Sequence, residues 1–355
     1  MPYFNNAANI IKILININNP KNFKKRRKIK NMKIIALEEE FIPDSFKDMT
    51  TKVFQENKYT YEASNQIIEK DVIDAMLDLG DEHLAAMDEA GIDLQILSAL
   101  IPQITTDNEA LKSVIEEGNN KAAEAIKKNP TRYSAFAGLP FVDPKAALTE
   151  FEKCIKSGFV GAILYGSING DFFDNKKYWP ILEFAEANNK PIYLHPCYPV
   201  PGMINYFKGR EELSGPEWGF MIDASSHFMR MLTGGVFDQF PKLKVILGHL
   251  GESIPYNMER INNRLSAYTK EKLKKSAAEY IRQNLFITTS GNFSTPSLLC
   301  AMGTIGVDNI LFSVDWPNES NKKAVEFLKH LPVSEPDLEK IAYKNAIRIF
   351  NLQKY

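Results

Sequence analysis

The stretch from Lys33 to Phe41 runs from an apolar segment, Ile34-Ile35-Ala36-Leu37, straight into Glu38, Glu39 and Glu40. As a buried strand of period two, it points Glu38 and Glu40 to the same side at its C-terminal end. Two carboxylates so placed need a cation, a proton or hydrogen-bond donors to offset desolvation and mutual repulsion. Alone, the run reads as a solvated acidic loop. Later segments change that: His195 ends Pro191-Ile192-Tyr193-Leu194-His195, His249 stands just beyond Leu243–Leu247, and Asp315 just beyond Ile310–Val314. Glu, His and Asp converging on one mouth can hold Zn²⁺, Mn²⁺ or Mg²⁺. His249 and Glu252, three apart at the start of an expected helix, suit an imidazole oriented by a carboxylate; N-terminal capping by Glu252 is the plainer alternative. His227 lies beside Phe228 and near Arg230 on an amphipathic helix, with pocket and core readings both open. His83 and His330 fall in surface-like helices. Cys197 has no activating partner in sequence, and no Gly-x-Ser-x-Gly elbow occurs, which argues against thiol and serine nucleophiles.

These residues act together only if distant segments bring their ends to one place. Apolar segments at 34–38, 94–99, 134–139, 161–165, 191–195, 243–247, 286–289 and 310–314 are each followed by helical sequence, with no hairpin signal between them. Repeated β-then-α units predict a closed parallel (β/α)8 TIM barrel, whose chemistry sits at the C-terminal ends of the strands. A doubly wound open sheet is disfavoured, because no Gly-x-Gly-x-x-Gly follows the first strand. Among the helices, Asp107–Lys128 carries the stripe Leu111, Val114, Ile115, Ala122 and Ile126 and is stopped by Pro130. Two helices are expected at about 253–265 and 269–283. Residues 196–222, rich in Pro, Gly and aromatics, are too long for an ordinary βα turn and predict an insertion over the active face.

With 355 residues, 44% of them hydrophobic, the chain can bury a large core. Its net charge of -1 hides an asymmetry. Residues 1–31 hold eight basic residues and no acidic one, so the remainder is mildly acidic and unsuited to a nucleic-acid groove. That basic stretch predicts a disordered extension before a single catalytic domain over 32–355. Three dispersed cysteines predict a reducing compartment, hence the cytoplasm; the basic extension makes a mitochondrial address the alternative. No apolar run reaches membrane-spanning length.

Six stretches taken in order resemble the metal-dependent decarboxylase branch of the amidohydrolase superfamily, near the 2,3-dihydroxybenzoate, salicylate and γ-resorcylate decarboxylases. They are Ile35–Phe41, Tyr193–Pro196, Phe237–Pro241, Leu247–Pro255, Ile287–Phe293 and Ile310–Pro317, and the likeness runs from Met32 to Leu352. The resemblance implies one divalent ion, Zn²⁺ before Mn²⁺ or Mg²⁺, on Glu38, His195 and Asp315, no organic cofactor, and a small aromatic carboxylate as substrate. It implies His249 and Glu252 as a catalytic pair and a homodimer or homotetramer; Asp315, ligated and close to the ring face, is expected to be the proton donor to the ring. Phe41, His227, Arg260, Phe293 and Trp316 are expected on the pocket wall, with Arg260 equally suited to pairing with Glu259 or another carboxylate. The chain departs from the pattern at Glu40, where many members carry a ligand His. Whether Glu40 ligates the ion, orients a water or points away is open at this stage. A mononuclear hydrolase of a lactone or amide on the same barrel is the competing expectation; two-metal chemistry is disfavoured because the fourth strand offers Ile163, Leu164 and Tyr165 but no Lys. A non-catalytic scaffold would have had no reason to keep all five residues.

Overall fold

Short apolar strands pair in sequence order in the computed structural model, which describes residues 32–46, 70–101, 107–198 and 201–352. The strands are β1 (Ile35–Phe41), β2 (Leu94–Ala99), β3 (Tyr133–Gly138), β4 (Gly161–Tyr165), β5 (Ile192–His195), β6 (Val245–Leu247), β7 (Leu285–Thr288) and β8 (Ile310–Leu311). Every neighbouring pair is parallel and the order is β1 through β8. The Leu37–Ser313 bridge, with Glu40 N–H donating to the Trp316 carbonyl at 2.6 Å, returns β8 to β1. The TIM barrel expected from the βα repeat is therefore the fold. The basic stretch 1–31 lies outside the described residues, as do residues 47–69.

Alternation along the strands divides the core in two. Ile35, Leu37, Leu94, Ile96, Ile163, Tyr165, Tyr193 and Ile246 fill the barrel, joined by Ile349 and Phe350 of the terminal helix. Ala36, Leu97, Ala137, Leu164 and Leu194 face the surrounding helices. The helix Asn108–Lys128 is capped by Asp107, whose side chain accepts from Ala110 N–H, and buries Leu111, Val114, Ile115 and Ala122. Burying each of the larger side chains, Leu111, Val114 and Ile115, contributes about 1.5–3 kcal/mol. Helix boundaries differ from expectation in one stretch: Ile254–Lys272 runs unbroken through the predicted gap, and Ala277–Asn284 follows it with a Ser276–Glu279 capping box. The insertion over 196–222 contains short helical turns at Pro201–Ile204, Asn205–Phe207 and Glu211–Leu213, and the next long helix starts at Gly219.

Candidate metal centre

The path of β1 decides which carboxylates enter the mouth. Ile35 and Leu37 point into the barrel, so strict alternation would send Glu39 inward as well. Instead Glu38 takes φ +60° and the register with β2 shifts between Ala36 and Glu39. This bulge reverses the alternation. Glu38 and Glu40 face His195, while Glu39 turns outward to Gln95 and β8.

Glu38 is completely buried, and its Oε2 accepts from the Tyr193 and Ser290 hydroxyls and from Thr288 Oγ1 at 3.3 Å. Its Oε1 has no hydrogen-bond partner, yet lies 3.1 Å from His195 Nε2 and 3.8 Å from His249 Nε2. Gly248 makes this approach feasible: a Cβ there would stand 3.0 Å from Glu38 Oε1 and 3.1 Å from the Tyr193 hydroxyl. Glu40 repeats the arrangement. Its Oε2 accepts from Asn318 Nδ2 at 2.7 Å, and its unpartnered Oε1 is 3.6 Å from His195 Nε2. His195 Nδ1 lies 2.7 Å from the Pro196 carbonyl and can only donate there, which turns Nε2 toward the carboxylates. His249 Nδ1 is 2.7 Å from Glu252 Oε1, and its Nε2 is 3.9 Å from Asp315 Oδ2.

The backbone at these residues is strained as a group. Among the described residues, the non-glycine positions with positive φ are three asparagines, which tolerate it, and Glu38, His249, Leu250, Glu252 and Asp315. Residues 249–252 form a left-handed turn with Gly251 at φ +77°, where a Cβ would meet Ile287 Cγ2 at 2.7 Å. The His249–Glu252 pair, expected at the start of a helix, lies before it. The helix begins at Ile254, and the His249–Glu252 contact comes from the turn before it. Non-glycine residues hold such conformations at a cost of about 1–3 kcal/mol each, and only where the surroundings enforce them.

Electrostatics at the mouth favour positive charge. Burial opposes ionisation of Glu38, but His195, His249 and Ser290 outweigh it and hold the carboxyl down at about 2. Burial, reinforced by Asp315 and Glu38, pushes Glu40 up to about 7. Burial disfavours the His195 imidazolium, yet Glu38, Glu40 and Asp315 raise it to about 9; His249 also rises well above its usual value, chiefly through Glu252. Burial pushes Cys197 up to about 12, in keeping with an inert thiol. A divalent ion would answer the same demand. Glu38, His195 and His249 offer donor atoms within 4.8 Å of one another, and so do Glu40, His195 and Asp315. Bonds of about 2.0–2.2 Å give donor–donor edges of about 3.0–3.6 Å, close to the spacings found here. The two unpartnered buried oxygens and the free Nε2 fit such an ion. The expected ligand trio Glu38, His195 and Asp315 is spread across both groups, with His195 common to them.

The expected pocket residues lie in different settings. Phe41 is buried in the core between strands and helices. His227 is also buried, its Nε2 accepting from Phe173 N–H at 3.0 Å with Phe172 and Phe173 against its ring; burial lowers it to about 3. Arg260 is exposed on Ile254–Lys272 and makes no ion pair among the described residues. Phe293 is half-buried against Phe327, and Trp316 is half-buried with its ring 6.3 Å from His83. His83, read as a surface residue, is buried at 2% exposure and bonded to Gln95 at 2.6 Å. Sequence reasoning missed the donors that hold Glu38. Tyr193 was legible as the residue two before His195, hence on its face; Ser290 and Thr288 gave no comparable signal.

A (β/α)8 barrel with carboxylates and imidazoles gathered at the strand ends defines a metal-dependent barrel enzyme. The chain belongs to the amidohydrolase family, whose model matches residues 71–352. It is similar to the gamma-resorcylate decarboxylase of Polaromonas sp. strain JS666, 38% identical over 79% of this chain and 89% of that protein. The crystal structure of a 2,6-dihydroxybenzoate decarboxylase complexed with 2,6-dihydroxybenzoate superposes with a TM-score of 0.81 at 35% identity, covering 90% of this chain and 100% of the other. A dihydroxybenzoic acid decarboxylase from Polaromonas sp. JS666, solved with manganese and the inhibitor 2-nitroresorcinol, gives the same TM-score and identity over 92% and 98% of the two chains.

Proposed function

We propose that this chain catalyses metal-dependent, non-oxidative decarboxylation of an ortho-hydroxybenzoate, releasing CO₂ and a phenol, with 2,6-dihydroxybenzoate the first substrate to test. The chain is a carboxy-lyase that uses one divalent ion and a small aromatic carboxylate. The observation that carries the reading is the pair of buried, unpartnered oxygens, Glu38 Oε1 and Glu40 Oε1, both aimed at His195 Nε2. The near full-length similarity to decarboxylases supports the substrate class. No observation favours the lactone or amide hydrolase.

Glu38, His195, Asp315 and Glu40 hold the ion in this reading. Bound there, the ion would supply Lewis-acid stabilisation of the anionic substrate and fix its orientation. Direct loss of CO₂ from an arene leaves an electron pair in the ring plane, so the ring carbon must first be protonated. Asp315, protonated from solvent, delivers that proton to the carbon bearing the carboxylate and is left as a carboxylate. The carbon becomes tetrahedral, and the electrons of its bond to CO₂ return to the ring as CO₂ departs. His249, oriented by Glu252, steers the ortho hydroxyl. Glu40 makes the donor set richer in oxygen than Glu38, His195 and Asp315 alone, which favours the harder Mn²⁺ over the Zn²⁺ expected from the motifs. The manganese in the Polaromonas relative supports that order.

We further propose a cytoplasmic enzyme that assembles as a homodimer or homotetramer. The described cysteines are free, and Tyr206, Trp218 and Tyr256 are exposed aromatics suited to a subunit contact. No helix among the described residues is long and apolar enough to cross a membrane. The test of activity is CO₂ release from ortho- and non-ortho-hydroxybenzoates, with and without chelator, alongside metal quantification. Release confined to ortho-hydroxy acids and abolished by chelator supports the reading. Full activity after rigorous metal removal would overturn it.

A further inference from the structure

We infer that Glu39, the one residue of the acidic triplet that faces away from the mouth, is a positioning residue that clamps the peptides on either side of Asp315. Its Oε1 accepts the Val314 N–H at 3.1 Å and its Oε2 the Trp316 N–H at 3.3 Å. Asp315 sits between them at φ +78°, a backbone conformation that L-residues rarely adopt. The need for a side-chain acceptor follows from how the barrel closes. The β8 ladder ends at Leu311 and Ser313 makes the last bridge to β1. Beyond it, the chain turns out of the strand conformation to present Asp315, so the N–H groups at 314 and 316 lose any strand partner. Buried peptide donors left unpaired would favour another path for this segment.

The clamp is itself held. Gln95 Nε2 donates to Glu39 Oε2 at 3.1 Å and to Asn321 Oδ1 at 3.3 Å, which leaves Gln95 Oε1 to accept from His83 Nε2 at 2.6 Å. The His83 N–H in turn donates to Asp78 Oδ2 at 2.8 Å. Glu39, Gln95, His83 and Asn321 are all buried. Glu39 is bonded covalently to Glu38 and Glu40, so one residue ties the β1 carboxylates to the β8 carboxylate. Loss of either acceptor oxygen frees the Asp315 peptides to rotate and moves its side chain relative to Glu38 and His195.

This inference rests on the reading that Asp315 helps to hold the divalent ion. The experiment is a Mn²⁺ titration of the metal-stripped full-length chain, following free Mn²⁺ by electron paramagnetic resonance, for the native protein and Glu39→Gln. The variant keeps the shape of the side chain but sets an NH₂ against a peptide N–H. We expect Mn²⁺ affinity to fall by about 10- to 100-fold in folded protein, the range typical of groups that orient metal ligands. A Glu39 that merely supports the fold would lower the melting temperature and leave the Mn²⁺ Kd of the folded protein unchanged, and that result would overturn the inference. Should Glu39→Gln fail to fold, Gln95→Met removes the buttress alone. A several-fold weaker Mn²⁺ Kd then supports the clamp, and a native Kd overturns it. Native protein that binds no Mn²⁺ would sink the functional reading, whereas native binding matched by the variants sinks only the clamp.

Discussion

Replacing Asp315 by asparagine separates its two proposed duties. The variant preserves shape and one donor oxygen but can neither carry the negative charge of the ionised form nor donate a proton as an acid. Glu38, Glu40 and Asp315 all face the imidazoles, so three carboxylates outweigh a divalent ion by one charge. The Asp315→Asn variant keeps two carboxylates, which match it. Metal should therefore still be bound at saturating Mn²⁺, with affinity weakened at least as much as by Glu39→Gln, since His195 Nε2 and the two glutamate Oε1 atoms still converge. Catalysis should not survive. A positioned general acid is worth about 10²- to 10⁴-fold, or about 3–5 kcal/mol of barrier, so kcat should fall by that factor. Metal quantification and single-turnover CO₂ release on the same preparation read both quantities. Near-native turnover would refute Asp315 as the acid. Complete loss of metal would refute the charge argument and make Asp315 an indispensable ligand.

Three other outcomes are expected. Glu40→Ala should retain metal with less than about tenfold loss of affinity, while its preference shifts from Mn²⁺ toward Zn²⁺ in competition, since one hard oxygen is removed; loss of the metal would mean that Glu40 had been underrated. Mn²⁺ at a hundredfold excess over its Kd should stabilise the metal-stripped protein by about 2.7 kcal/mol, about 4 °C in melting temperature for a chain of this length, and an unchanged melting curve would count against the site. His227 is held down at about 3 by burial, so between pH 6.5 and 3 the unfolded chain binds the extra proton and stability falls as pH falls. The stability difference between native protein and His227→Gln should be flat above pH 6.5. Below it, that difference should change by about 1.4 kcal/mol per pH unit in denaturant melts, and a constant difference down to pH 4 would refute the assignment.

The same barrel geometry sets the number of ions to expect. Tyr165 occupies the end of β4 with its ring 4.6 Å from His195, where a two-metal hydrolase would need a Lys. A phenol so buried, pushed up by burial and the nearby carboxylates, does not take the place of a bridging ligand. One ion is accordingly the stoichiometry to expect from metal quantification.

Much was determined by the linear chain. Eight apolar runs alternating with helical stripes leave few ways to bury both faces of a parallel sheet, so the barrel followed from period and order alone. His195 and Asp315 were legible because each ends or just follows such a run. Only the tertiary structure decided how the rim is arranged. Alternation by itself would have turned Glu39 inward, and the bulge at Glu38 reverses that choice. No local propensity signals a positive φ at Glu38, His249, Glu252 or Asp315, because each isolated residue avoids it. Those conformations persist through contacts made across the fold, among them Tyr193 and Ser290 on Glu38 and Glu39 on the Val314 and Trp316 peptides. Pocket walls were the least legible for a related reason. Whether Phe41 or Arg260 meets a ligand depends on how elements pack, and a residue's type and neighbours in sequence carry little of that information.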